Sequence, residues 1–90
     1  MNEREILFTP EERELILNET FISRELHTTF LCAVVHGHRL SVRLSLEEID
    51  SLAGFVAAEA QHMRDGKKQK KLTELCEKLA NLELQWKRTL

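Results

Sequence analysis

The last quarter of the chain carries an apolar repeat that predicts one long helix. Five apolar side chains recur at spacings of three, four, three and four residues: Leu72, Leu75, Leu79, Leu82 and Trp86. This spacing places them on one face of a helix and is typical of a helix that packs against another helix. The repeat predicts a helix over residues 68–88, about 30 Å long at about 1.5 Å per residue.

A second apolar stripe predicts the packing partner of that helix. Its members recur every three or four residues: Ile49, Leu52, Ala53, Val56, Ala60 and Met63. Ser45 and Glu48 have the capping-box spacing that begins a helix, and the helix is predicted to end near residues 62–64. Gly54 lies inside the stripe, where a small residue predicts close approach of another element. Because Asp65-Gly66 is a turn signal, the two helices are predicted to form an antiparallel pair.

Upstream of this pair, residues 39–44 alternate strictly between polar and apolar side chains. The alternation predicts a strand with Leu40, Val42 and Leu44 on one face. A lone strand is unstable in water, so residues 29–35 are the predicted partner in an antiparallel hairpin, joined through His36-Gly37-His38. A short helix or turn is predicted at residues 23–28. Residues 29–35 also fit a helical stripe, which leaves strand and helix both open there.

The N-terminal part begins with a helix signal. Thr9, Pro10 and Glu12 combine a cap, a proline suited to the first helical position and the capping-box glutamate. They predict a helix from Pro10 to residue 18 or 19. The predicted fold is therefore a single small domain of residues 1–90 in the α+β class. It is mostly helical, with a short antiparallel β-hairpin between an N-terminal helix and a C-terminal antiparallel helix pair.

Residues 43–72 resemble a C-terminal pattern of small bacterial proteins of unknown function. The resemblance is carried by three segments: Arg43-Leu44-Ser45-Leu46-Glu47-Glu48, Leu52-Ala53-Gly54-Phe55-Val56-Ala57-Ala58-Glu59-Ala60, and His62 followed by Lys68-Gln69-Lys70 and Leu72. It implies a bacterial, soluble setting and brings no activity with it.

The balance of charge bears on nucleic-acid binding. A net charge of −2 at pH 7 excludes a globally basic nucleic-acid binder. Five basic residues are nevertheless close together: Arg64, Lys67, Lys68, Lys70 and Lys71. Such a run can contact phosphates, although a solvated, charged turn between helices is the preferred interpretation. A nucleic-acid-binding accessory protein is therefore the alternative function.

Histidine spacing gives the one hint of a metal site. His36 and His38 flank Gly37, and Glu59 and His62 have the Glu-x-x-His spacing of di-iron bundles. The zinc-binding spacings His-x-x-x-His, Cys-x-x-Cys and His-Glu-x-x-His are absent from the sequence. We therefore expect neither a metal nor another cofactor.

Catalytic motifs are also missing from the sequence. There is no Gly-x-Ser-x-Gly elbow and no glycine-rich phosphate loop. Cys32 and Cys76 are expected to be reduced, mostly buried thiols. We therefore expect a protein that is not an enzyme.

The long helix predicts self-association. The helix extends beyond its partner stripe, so Leu82, Trp86 and Leu90 are expected to lie uncovered. The predicted protein interface of a homodimer consists of Leu79, Leu82 and Trp86. The alternative is that the first helix or residues 6–8 fold back and cover Trp86 within the monomer. Without a membrane-length apolar run or an export leader, the chain is expected to be cytoplasmic. The predicted function is a non-enzymatic protein-interaction or oligomerisation module with an unidentified protein partner.

Overall fold

The computed structural model describes residues 3–90. In chain order the described elements are β1 (Glu3–Phe8), α1 (Pro10–Glu19), α2 (Arg24–Leu31), β2 (Val34–His36), β3 (Arg39–Ser45), α3 (Leu46–His62) and α4 (Gly66–Arg88). This confirms the predicted mostly helical α+β class. The chain divides after Ser45 into two compact units, which are described in turn, and the assignment to a single domain stays a prediction.

The first unit is built around a three-stranded antiparallel sheet in which β3 is central. The strand order is β1-β3-β2, so β3 pairs with β1 on one side and with β2 on the other. The predicted alternation is confirmed, because Leu40, Val42 and Leu44 are buried. Ile6 lies opposite Val42 and Phe8 opposite Leu40, so the apolar side chains of β1 join the same face.

Two parts of the predicted hairpin are wrong. Residues 29–31 belong to α2, and the strand that pairs with β3 is confined to Val34–His36. Ser23 caps α2, its hydroxyl accepting a hydrogen bond from the backbone N–H of Leu26. At the other end of α2 the buried Phe30 meets Phe8 edge to face, with ring centroids 5.1 Å apart. A helical cap and this aromatic contact outweigh the β-branched composition of the segment.

The connection between β2 and β3 is a two-residue turn that requires glycine. Gly37 has φ +62°, and no other described residue has a positive φ. A positive φ at the first central position followed by a negative one identifies a type II′ turn, which matches the twist of a hairpin. The predicted role of Gly37 is therefore confirmed.

The N-terminal helix begins and ends as predicted. The Thr9 hydroxyl accepts a hydrogen bond from the Glu12 N–H at 3.1 Å, and the Glu12 carboxylate accepts one from the Thr9 N–H at 2.8 Å. Both halves of the capping box are present, and Pro10 is the first residue of α1. Leu15 and Ile16 are its buried residues.

The second unit is the predicted antiparallel helix pair. The Gln69 side chain near the start of α4 donates a hydrogen bond to the Ala60 carbonyl near the end of α3, at 3.0 Å. Midway along the pair, the Cys76 thiol donates a hydrogen bond to the Ala53 carbonyl oxygen, with an S···O distance of 4.0 Å. Both predicted stripes supply buried residues: Ile49, Leu52, Val56 and Ala60 from α3, and Leu72, Leu75, Leu79 and Trp86 from α4.

Gly54 does not have the role that the sequence suggested. It is exposed on α3, and a Cβ added to it would meet no atom within 4 Å. The expectation that it admits a closely packed element is therefore wrong. At this position glycine only weakens the helix.

The two glycines give opposite predictions for stability. Gly37→Ala is expected to lower the free energy of unfolding by about 1–2 kcal/mol, because an L side chain is strained at a positive φ. Gly54→Ala is expected to raise it by up to about 1 kcal/mol, since alanine is the better helix former and the space is open. Urea unfolding followed by circular dichroism measures both. A neutral Gly37→Ala would contradict the assigned turn.

Candidate functional site

The residues predicted to form a helix-end interface are mostly covered by the chain itself. Leu79 is fully buried and Trp86 is 4% exposed, whereas Leu82 is partly exposed. The expectation of an uncovered side chain is therefore wrong for Trp86, and Leu79 offers no exposed surface to a partner. Burial therefore removes the reason for assigning a protein interface to the C-terminal end of this apolar repeat.

The predicted basic residues surround the start of α4 and are all exposed. Arg64 lies in the connection after α3, and Lys67, Lys68, Lys70 and Lys71 fall within the first six residues of α4. Lys67, Lys70 and Lys71 share one side of the helix, because residues three and four apart are neighbours on its surface.

An aspartate, Asp65, lies between Arg64 and the four lysines. The Asp65 carboxylate accepts hydrogen bonds from the backbone N–H groups of Lys67 and Lys68, at 3.0 and 3.2 Å. Asp65 is thus the N-cap of α4, which the sequence showed only as part of a turn signal. Its negative charge also offsets the unfavourable position of lysines at the positive end of the helix dipole.

The predicted metal-ligand candidates do not converge. His36 and His38 are exposed on either side of Gly37, and Glu59 and His62 lie near the end of α3. In the described part of the chain, no three His, Cys, Asp or Glu side chains are grouped so that they could hold a metal ion.

The first unit contains a cleft of about 310 Å³. Residues of β1, β2, β3 and the C-terminal end of α2 line it. Six polar or charged residues line it: Glu5, Thr29, Cys32, His36, Ser41 and Arg43. Ala33, Val34 and Val42 add apolar surface.

The strand register explains how these residues come together. Ser41 and Arg43 are two residues apart on β3 and therefore share one face of the sheet. Glu5 lies directly opposite Arg43, and Val34 lies directly opposite Ser41. Sequence analysis missed the cleft because Glu5 reaches it through β1, a strand that was not predicted.

The polar groups of the cleft are not satisfied by one another. Within residues 3–90, neither Glu5 nor Arg43 forms an ion pair. Ser41 is 6% exposed, and its side chain makes no hydrogen bond to the described residues. Every fully buried side-chain oxygen of the described residues has a hydrogen-bond partner. Because the Ser41 hydroxyl has no partner in this part of the chain, it is not fully buried, and it opens to the cleft that Ser41 lines.

A smaller cavity on α4 shows the opposite arrangement. It measures about 230 Å³ and is lined by Ala80, Glu83, Leu84 and Lys87. Here the Lys87 ammonium donates a hydrogen bond to the Glu83 carboxylate at 3.0 Å. That hydrogen bond and the charge of Glu83 raise the pKa of Lys87 above its ordinary value. The two charges of this cavity therefore neutralise each other.

Exposed apolar side chains mark a second feature of the first unit. Leu31, Val34 and Val35 are all more than half exposed and lie within five consecutive residues. Val34 and Val35 belong to β2, an edge strand of the sheet. An edge strand presents an open row of backbone N–H and C=O groups with which another chain can pair.

Comparison with known proteins identifies no relative of this chain: no family model, curated protein or solved structure matches it. The resemblance of residues 43–72 to small bacterial proteins therefore stays a prediction. None of the helices described is both long enough and apolar enough to cross a lipid bilayer.

The burial of Trp86, the single tryptophan, gives a direct prediction. Its emission is expected to be blue-shifted and weakly quenched by acrylamide at every protein concentration, because its own chain covers it. Trp86→Ala is expected to lower the free energy of unfolding by about 3–5 kcal/mol. Leu84→Ala, at a half-exposed position of the same helix, is the control and is expected to cost less than about 1 kcal/mol. A red shift on dilution would instead mean that a partner covers Trp86.

Proposed function

We propose that this protein is a non-enzymatic, cytoplasmic interaction module that self-associates as a two-fold dimer through the open edge of β2. The observation that carries the proposal is the exposure of Leu31, Val34 and Val35 beside that edge. The two free cysteines, Cys32 and Cys76, are compatible with a reducing compartment.

Backbone geometry supports pairing at β2. Because Gly37 and His38 form a two-residue turn, the flanking pair His36 and Arg39 is hydrogen-bonded across the hairpin. Hydrogen-bonded and non-hydrogen-bonded pairs alternate along an antiparallel ladder, so the N–H and C=O of Val35 point away from β3. These two groups are available to another strand.

Charge supports a second copy of the chain as the partner. Residues 31–35 carry no ionised side chain, so the segment can face its own copy without like-charge repulsion. In an antiparallel pairing centred on Val35, the two valines oppose each other and Val34 opposes the partner's His36. The same patch of each chain then contacts that of the other chain, as a two-fold axis requires. The edge is only three residues long, so the dimer is expected to be weak and to dissociate on dilution.

Sedimentation equilibrium tests this assembly. The wild-type mass is expected to rise from monomer towards dimer between about 10 µM and about 1 mM, the range of a weak interface. Val35→Lys is expected to remain monomeric over that range, because an edge lysine opposes strand addition. Its stability should change little, since Val35 is 67% exposed.

Leu84→Lys provides the matched control. Leu84 is also exposed but belongs to α4 of the second unit, so this variant should associate as the wild type does. A wild type that stays monomeric at about 1 mM would contradict the proposal. Dimerisation that Val35→Lys leaves intact would equally contradict the assignment to β2.

The lysines of α4 favour nucleic-acid binding as a second candidate function. No acidic residue lies in the first turn of α4, and four lysines occupy its first six residues. Lysines at the positive end of a helix oppose its dipole, so their concentration there is not explained by helix stability. An exposed group of this kind can contact phosphates.

Fluorescence anisotropy with duplex and single-stranded DNA tests this second candidate. If it is correct, binding persists at about 0.15 M salt and is lost in Lys67→Glu/Lys70→Glu. The control Lys87→Glu/Arg88→Glu makes the same change of charge at the other end of α4 and should still bind. The absence of binding at that salt concentration would exclude the candidate.

A further inference from the structure

We propose that the cleft beside β3 binds a small zwitterion of the α-amino acid class. The site is defined by Glu5, Ser41 and Arg43 on the sheet and by Cys32 at the end of α2. The inference does not depend on the proposed dimer, because all lining residues belong to one chain.

The charges of the cleft match a ligand that carries both signs. Glu5 and Arg43 lie directly opposite each other, where Cβ atoms are about 4.5–5.5 Å apart. Neither has an ion-pair partner within the described residues. An ammonium and a carboxylate on one carbon are close enough together to contact both side chains at once. A ligand of this class can therefore place its ammonium at Glu5 and its carboxylate at the Arg43 guanidinium, which is suited to bidentate pairing.

The neighbouring elements add further polar groups to the cleft. The C-terminal end of α2 carries a partial negative charge, and Thr29, Cys32 and Ala33 bring this end of the helix to the cleft. Ser41 contributes a hydroxyl that is open to the cleft although the residue is 94% buried, as follows from its 6% exposure. A ligand carboxylate can accept the hydrogen bond that no described protein group receives from it.

The size of the cleft restricts the ligand. Its volume of about 310 Å³ is at the lower end of the range of small-molecule pockets. A free amino acid fits this space, whereas a folded partner exceeds it. Ala33 and Val34 provide apolar surface for an aliphatic side chain.

Alkylation of the two cysteines tests the site with an internal control. Cys32 is exposed and lines the cleft, whereas Cys76 is partly buried and lies on α4. Peptide mass spectrometry measures the rate of iodoacetamide alkylation at both, with L-alanine, L-serine, L-leucine, L-glutamate or L-lysine at up to about 10 mM. At least one of these amino acids is expected to slow the alkylation of Cys32 and to leave that of Cys76 unchanged.

Derivatives of the protecting amino acid separate a zwitterion site from a simple ion site. The N-acetyl derivative lacks the ammonium and the amide lacks the carboxylate, so each should protect Cys32 at least about tenfold more weakly. Equal protection by either derivative would overturn the proposal. Failure of all five amino acids to protect Cys32 would also overturn it.

Substitutions then assign the contacts. Glu5→Gln and Arg43→Gln are each expected to weaken protection at least about tenfold, and both positions are exposed, so the fold should be kept. Ser41→Ala is expected to weaken it severalfold. Arg39→Gln, on the same strand but outside the cleft lining, is the control and should protect as the wild type does. Protection that persists in Arg43→Gln would overturn the assignment.

Discussion

The first unit depends on β3, because both of its other strands pair with it. The strand alternates apolar and polar side chains, so its two faces serve different purposes. Leu40, Val42 and Leu44 belong to the buried core, whereas Ser41 and Arg43 supply polar side chains to the cleft, which Val42 also lines. A shift of register by one residue would exchange these faces and remove both the core and the cleft. The type II′ turn at Gly37 fixes that register on the β2 side.

Patterns carried by neighbouring residues were predicted well. The bounds of α1 follow from the capping box of Thr9 and Glu12, and the antiparallel pair of α3 and α4 follows from their apolar stripes. These features depend on contacts within one helix or between helices joined by a three-residue connection. Local chemistry therefore suffices to specify them.

Features that need distant pairing were missed. β1 is stabilised by its register with β3, more than thirty residues away, and only Ile6 and Phe8 in it are buried. Such a short pattern does not identify a strand without its partner. The extent of α2 was missed for the same reason, since the contact between Phe30 and Phe8 joins two elements that are far apart in sequence. The cleft was not predicted for both of these reasons, because it combines Glu5 of β1 with Cys32 at the end of α2.

The proposed dimer contact lies at the edge of β2, whereas the sequence predicted a contact through the apolar repeat of α4. Burial of Leu79 and Trp86 removes the uncovered surface on which the first expectation depended. Residues 31–35 supply exposed apolar side chains together with outward-facing backbone groups, a combination that a buried helix end lacks.

Hydrogen exchange at the Val35 amide tests this account most directly. In the monomer this N–H points away from β3 and should exchange rapidly, whereas a second β2 strand would accept its hydrogen bond and protect it. The account predicts protection of Val35 that grows with protein concentration, while the amides of His36 and Arg39, bonded within the hairpin, are affected less. Rapid exchange of Val35 at all concentrations up to about 1 mM would contradict it.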